Sequence, residues 1–80
     1  MPAVTVQYYA ILREQRGLAE EKLVTAASTP AALYEELRGR HHFTLPGERV
    51  RAAVNDEFVA SSAALRDGDC VVFIPPVAGG

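Results

Sequence analysis

Cys70-Val71-Val72-Phe73-Ile74-Pro75-Pro76-Val77-Ala78-Gly79-Gly80 closes the sequence, and its reading decides the fold. Cys70 to Ile74 is a nearly all-apolar run, as expected of a central strand covered on both faces. Pro75-Pro76 follows directly and fixes φ near about −65°, so the chain leaving the strand is stiff. Val77 and Ala78 are small, and Gly79-Gly80 is the thinnest possible tip. Glycine lacks a Cβ and lets another chain approach closely. Gly79 and Gly80 close no turn, so the expected role of the pair is a terminal carboxylate held out on a rigid stem.

Upstream, Val4, Val6 and Tyr8 alternate with Thr5, Gln7 and Tyr9, the period-2 pattern of a half-buried first strand. Ala10 to Arg16 reads as a short helix ended by Gly17. Glu21 to Ala26 reads as a second strand, antiparallel to the first. The main helix opens with Thr29 as cap and Pro30 at the first helical position, and Leu33 and Leu37 share one face. Gly39 is expected to end it, with Arg38, Arg40, His41 and His42 at the negative end of the helix dipole. His42 to Glu48 reads as a loop, with Phe43 and Leu45 over a core edge. Arg51 to Asn55 is expected to be a third strand, Asn55-Asp56-Glu57 a turn, and Phe58-Val59 a short strand. Ala63 to Leu65 is expected to make one helical turn before the Asp67-Gly68-Asp69 turn.

That order is an α+β pattern: a mixed sheet with one main helix packed on one face and an extended C-terminal tail. With the first and last strands adjacent, it is the β-grasp, or ubiquitin-like, architecture. Residues 1–76 are expected to form that domain and 77–80 a flexible C-terminal diglycine tail.

Eighty residues suffice for one domain with a modest core, and 49% hydrophobic with 22% charged residues is a globular composition. A net charge of −2 argues against a nucleic-acid partner. Met1 to Leu12 carries no basic leader and falls short of the roughly 18 apolar residues of a membrane helix, so neither secretion nor a membrane is expected. The single cysteine, Cys70, rules out an intrachain disulfide and suits a reducing cytoplasm.

Side-chain chemistry is scarce. His41-His42 are adjacent and cannot easily converge on a metal, so they read as solvated helix-end residues and no metal site is expected. Cys70 follows Asp69, which disfavours a thiolate. Glu20-Glu21 and Glu35-Glu36 read as solvated faces. Alternation makes a different prediction for the sheet. If Val71 and Phe73 face the helix, Val72 and Ile74 face outward, joined by Tyr9 and Phe58. Such an apolar patch beside the tail exit marks a partner surface.

Val54-Asn55 with Val59, then Leu65-Arg66-Asp67-Gly68-Asp69, then Phe73 to Gly80, resemble the small subunits of molybdopterin synthase. Tyr8-Tyr9-Ala10 with Arg13-Glu14 is similar to that family's first strand and helix. The likeness covers nearly the whole chain. It departs at Ala78, where serine or threonine is usual, and at Cys70, where an acidic residue is common. The resemblance implies a ubiquitin-like sulfur carrier with no permanently bound cofactor and no independent active site. Gly80 would be adenylated by a ubiquitin-activating-type enzyme using ATP, then converted to a thiocarboxylate with sulfur from a sulfurtransferase. Pro75, Pro76, Val77, Ala78 and Gly79 would enter a large subunit, in an assembly of two small and two large subunits. There Gly80 would donate sulfur to cyclic pyranopterin monophosphate in molybdenum cofactor biosynthesis. The alternatives are a sulfur carrier for tRNA thiolation, thiamine or cysteine synthesis, a protein modifier conjugated through Gly80, or an interaction domain with an inert tail. Lys22 is the only lysine, which gives little support to chains of the modifier built on itself.

Overall fold

The computed structural model describes residues 2–76. Five strands, β1 (Ala3–Tyr8), β2 (Glu20–Val24), β3 (Arg51–Val54), β4 (Glu57–Val59) and β5 (Cys70–Ile74), form one sheet in the order β2-β1-β5-β3-β4. The two helices are α1 (Ala10–Arg16) and α2 (Pro30–His41), and a 3-10 turn covers Gly47–Arg49. β1 and β5 pair in parallel, with Val6 opposite Val71 and Tyr8 opposite Phe73, and the other three pairings are antiparallel. This is the expected β-grasp. The central place of β5 explains its composition. Val71 and Phe73 are sealed against Leu33, Tyr34 and Leu37 of α2, with Val4, Val6, Tyr8, Leu12 and Phe43 completing the core. The tail positions Val77, Ala78, Gly79 and Gly80 lie outside the described residues.

α2 begins as its sequence dictates, with the Thr29 hydroxyl accepting the Ala32 N–H at 3.1 Å and Pro30 at the first turn. Its end corrects the expectation at Gly39, which lies inside the helix. The reversal comes at His42, in the left-handed region at φ 57, where the backbone N–H bonds the Arg38 carbonyl. Nothing lies within 4 Å of a Cβ built on Gly39, so no steric demand for glycine acts there. The deciding contact is Phe43, which turns back into the core and stacks on Tyr34 with ring centroids 5.9 Å apart.

Three further expectations give way to long-range contacts. β2 stops at Val24 because buried Thr25 turns inward, donating its hydroxyl to Glu36 at 2.9 Å and accepting the Ala27 N–H at 3.0 Å. Ala63 to Leu65 is irregular rather than helical. Its Leu65 N–H bonds the Ser28 carbonyl, and the side chain enters the core. Glu21 and Glu36 are half-buried and bonded rather than freely solvated: Glu36 accepts the Thr25 hydroxyl, and Glu21 accepts Arg16 through both oxygens, at 2.8 and 2.9 Å. The Tyr8 hydroxyl donates to Glu21 as well, at 2.6 Å.

The Arg16 hydrogen bonds, opposed by partial burial and reinforced by Tyr8, hold the Glu21 carboxyl down to about 2 from an ordinary value near 4.5. A depressed carboxyl contributes stability above its unfolded value and loses it as the pH falls through the folded one. The Arg16–Glu21 pair is partly open to solvent, which screens it to about 1–2 kcal/mol. Glu21→Gln is therefore expected to flatten the fall in stability between pH 4.5 and 2. Urea unfolding across that window checks it, and an acid limb as steep as wild type would place the loss elsewhere.

The β3–β4 hairpin turns on Asn55 and Asp56, both left-handed at φ 51 and 71. This twist matches that of the flanking strands, and asparagine tolerates it better than most residues. The Asn55 amide also donates to Asp69 at 3.0 Å, while its side-chain oxygen accepts the Cys70 N–H at 3.0 Å, tying the hairpin to the start of β5. Asn55→Ala loses both bonds and strains the turn, at an expected cost of about 2–3 kcal/mol. Asn55→Gly, which relieves only the strain, is expected to recover part of that in thermal unfolding.

Candidate functional site: the outer sheet face and the root of the tail

The sheet face turned away from α2 is ordered by strand register. Gln7, Val72, Ala53 and Phe58 lie side by side across β1, β5, β3 and β4. The next row toward the tail sets Ile74 opposite Arg51, and Tyr9, one residue past the Tyr8–Phe73 pair, continues beside Ile74. Alternation therefore brings Tyr9, Phe58, Val72 and Ile74 to one side, but not equally to the surface. Tyr9 is 49% and Phe58 60% exposed, whereas Val72 is only 8% exposed. Val72 sits on the central strand, walled by β1 and β3, and forms the floor of the face rather than a contact point. Ile74 is half-buried. Phe58, on the edge strand β4, is in solvent with the Arg51 guanidinium over one side of its ring, 4.5 Å from the centroid, a cation–π contact.

The tail stem starts from an apolar cleft of about 370 Å³ lined by Tyr9, Ala10, Ile11, Leu45, Ile74, Pro75 and Pro76. Pro75 is buried and Pro76 exposed, so the first proline is held and the second leads outward. The Leu45 wall is pinned from behind. The Tyr34 hydroxyl donates to its carbonyl at 2.8 Å, and Gln15 exchanges two hydrogen bonds with Thr44, at 3.0 and 3.2 Å. The sequence reading missed Ile11, Leu45 and Gln15 as parts of the site. Gln15 and Thr44 stand 29 residues apart, so no local pattern signals their meeting.

What this arrangement offers is an exposed, partly apolar face and a stem held at Pro75. Cys70 is half-buried, and burial together with the Glu20 and Asp56 carboxylates pushes its thiol up, away from the reactive thiolate. His41 is half-buried rather than solvated, 5.7 Å from the Phe43 ring, with burial and then Arg16 holding its pKa down. Among the described residues no group of three or more His, Cys, Asp or Glu side chains could hold a metal ion, and no helix is long and apolar enough to cross a membrane.

The ThiS family matches residues 6–80, a span that includes the diglycine. The molybdopterin synthase sulfur carrier subunit of Escherichia coli (strain K12) is 32% identical over 80 residues, covering 96% of this chain and 99% of that protein. A solved structure of a putative molybdopterin converting factor, subunit 1, from Pyrococcus furiosus aligns with a TM-score of 0.79 at 31% identity, over 96% of this chain and all of that one. A chain of the Amycolatopsis orientalis BexX/CysO complex aligns with a TM-score of 0.69 at 29% identity, over 96% and 99% of the two chains.

Proposed function

The chain belongs to the ThiS family, and on that premise we propose that it is the sulfur-carrier small subunit of a molybdopterin synthase. The observation that carries the reading is the end-to-end likeness to the E. coli sulfur carrier subunit, in a chain whose central strand runs into a stem anchored at Pro75. Chemistry supports it too. A carboxylate resists nucleophiles until its oxygen becomes a leaving group, and adenylation with ATP achieves this. The terminal sulfur of a sulfurtransferase persulfide then displaces AMP from the Gly80 carbonyl, and a second thiol cleaves the resulting acyl disulfide, becoming oxidised to a disulfide as the thiocarboxylate is released. The stem Pro75 to Gly79 threads that group into a large subunit, where sulfur passes to cyclic pyranopterin monophosphate. The partners are that large subunit, two copies with two of this chain, a ubiquitin-activating-type adenylating enzyme and a sulfurtransferase. The setting is the cytoplasm, ATP is the activating enzyme's substrate, and no cofactor resides on this chain. The domain is residues 1–76 and the working tail 77–80.

The same carrier chemistry serves other acceptors, and the likeness to the BexX/CysO chain favours that as the second reading. Intact mass tests the shared step. Incubation with the cognate activating enzyme, ATP and a sulfur source is expected to raise the mass by about 16 Da, one oxygen replaced by a terminal sulfur that is nucleophilic like a thiolate. Oxidation of Met1 or Cys70 gives the same nominal shift, so the sulfur is localised to the peptide ending in Gly80. A chain that never acquires terminal sulfur is not a sulfur carrier. Product analysis with the cognate large subunit then identifies the acceptor.

A further inference from the structure

One cation stands inside the apolar face, and its surroundings define what must cover it. Arg51 opposes Ile74 across the β3–β5 ladder and stacks on Phe58 at 4.5 Å, with both Arg51 and Phe58 exposed. The aromatic ring accepts no N–H···O bond from the cation, so the guanidinium donors remain able to bind a second partner. Among the described residues no carboxylate lies within 4.0 Å of Arg51, as is also true of Arg13, Arg49, Arg66 and Lys22; what sets Arg51 apart is its place between Phe58 and Ile74. Its acidic neighbour on β4, Glu57, pairs with Val54, which packs against the core. Glu57 therefore projects to the opposite face from Phe58.

Of the acids near this face, Glu20 is across the sheet on β2, where it accepts the Gln7 amide at 2.9 Å, and two sit at the far end. Asp56 lies in the hairpin turn, and Asp69 precedes the first residue of β5. Arg51 thus stands beside the tail root, while Asp56 and Asp69 lie about five residues, or about 16 Å, down the strands. A wholly apolar partner surface laid over Tyr9, Ile74 and Phe58 would strip water from Arg51 and leave its charge unpaired, which is strongly unfavourable. A carboxylate matches the guanidinium fork in shape and charge.

We propose that Arg51 is the specificity-determining residue of this face, and that the protein surface which covers Phe58 and Ile74 carries an aspartate or glutamate aligned with its free edge. The inference rests on the carrier reading only for the partner's identity, which is taken as the cognate large subunit. That partner is titrated with wild type, Arg51→Lys, Arg51→Leu and Arg51→Glu at low and high salt. Arg51→Glu is expected to bind about thirtyfold more weakly or worse, because repulsion replaces a desolvated pair. Arg51→Lys should lose about fivefold, keeping charge but not the two-pronged geometry. Arg51→Leu should show reduced salt dependence of association. One Asp or Glu changed to Arg on the large subunit's contact face should restore Arg51→Glu. Thermal unfolding identifies any variant that fails to fold, and Arg51→Leu carries the test if Arg51→Glu does. Wild type that binds while Arg51→Glu binds within about twofold of it overturns the proposal, as does Arg51→Leu binding tighter than wild type. Failure of wild type itself to bind the large subunit is a different result: it removes the carrier assignment, and this proposal with it.

Discussion

Gly80→Ala is expected to leave the domain folded and to abolish sulfur loading. The substitution adds one methyl group to a terminal residue, and terminal residues contribute little to core packing. Its effect belongs to the enzyme pocket that must close around the tip. Two glycines present bare backbone, so a site shaped to them places the Gly80 carboxylate against the ATP α-phosphate without a side chain to accommodate. A methyl group there displaces the reacting carbon by a sizeable fraction of an ångström. Misplacement of about 1 Å costs roughly a hundredfold in rate when orientation supplies much of the acceleration. The measurement is the rate at which terminal sulfur appears by intact mass, beside a thermal melt of the same sample. Normal melting with at least about a hundredfold slower loading is the expected pair. Equal loading by the alanine variant would mean the tail is not threaded, and would favour the interaction-domain reading.

Phe58→Ala is expected to weaken association with the large subunit about thirtyfold or more while barely changing stability. The two aromatic positions Phe58 and Phe73 make the contrast explicit. Phe73 is 1% exposed at the centre of the core, and truncating such a side chain costs about 3–5 kcal/mol of folding free energy. Phe58 is 60% exposed, so its removal forfeits only the Arg51 stack, about 0.5–1 kcal/mol at an exposed site. When a partner buries it, the same ring becomes an anchor, and such anchors cost at least about 2 kcal/mol when truncated, equivalent to about thirtyfold in affinity. Calorimetric titration with the large subunit and unfolding of the isolated chain separate the two effects. A Phe58→Ala chain that melts early, or that binds normally, would show this face is not the docking surface.

Much of the architecture was legible in the sequence because it depends on neighbours along the chain. Alternation at Val4, Val6 and Tyr8 defined β1. The apolar run Cys70 to Ile74 marked the central strand, and Thr29-Pro30 set the start of α2. Each is a local preference of two to five residues, expressed whatever lies across the fold. The parity that sends Tyr9, Phe58 and Ile74 to one face is also local, since a strand fixes it by covalent geometry. The diglycine on its proline stem needs no tertiary contact to be read.

The remainder waited for residues distant in sequence to meet. Gly39 carries a helix-ending signal, yet burying Phe43 against Tyr8 and Tyr34 was worth more than a glycine reversal, so the turn fell at His42. Glu21 and Glu36 look like solvent-facing acids until folding delivers Arg16, Tyr8 and Thr25 to them. Val72 has outward parity, but only its place between β1 and β3 buries it. The cleft around Pro75 is walled by the loop after α2, which is tied to α1 through Gln15 and Thr44 and to α2 through Tyr34. Sequence determined the strands, the two helices and which side of the sheet each strand residue faces, because backbone stereochemistry acts over a few residues. Tertiary structure decided which of those residues are wet, paired or walled in, because burial and electrostatic pairing depend on distance in space and not along the chain.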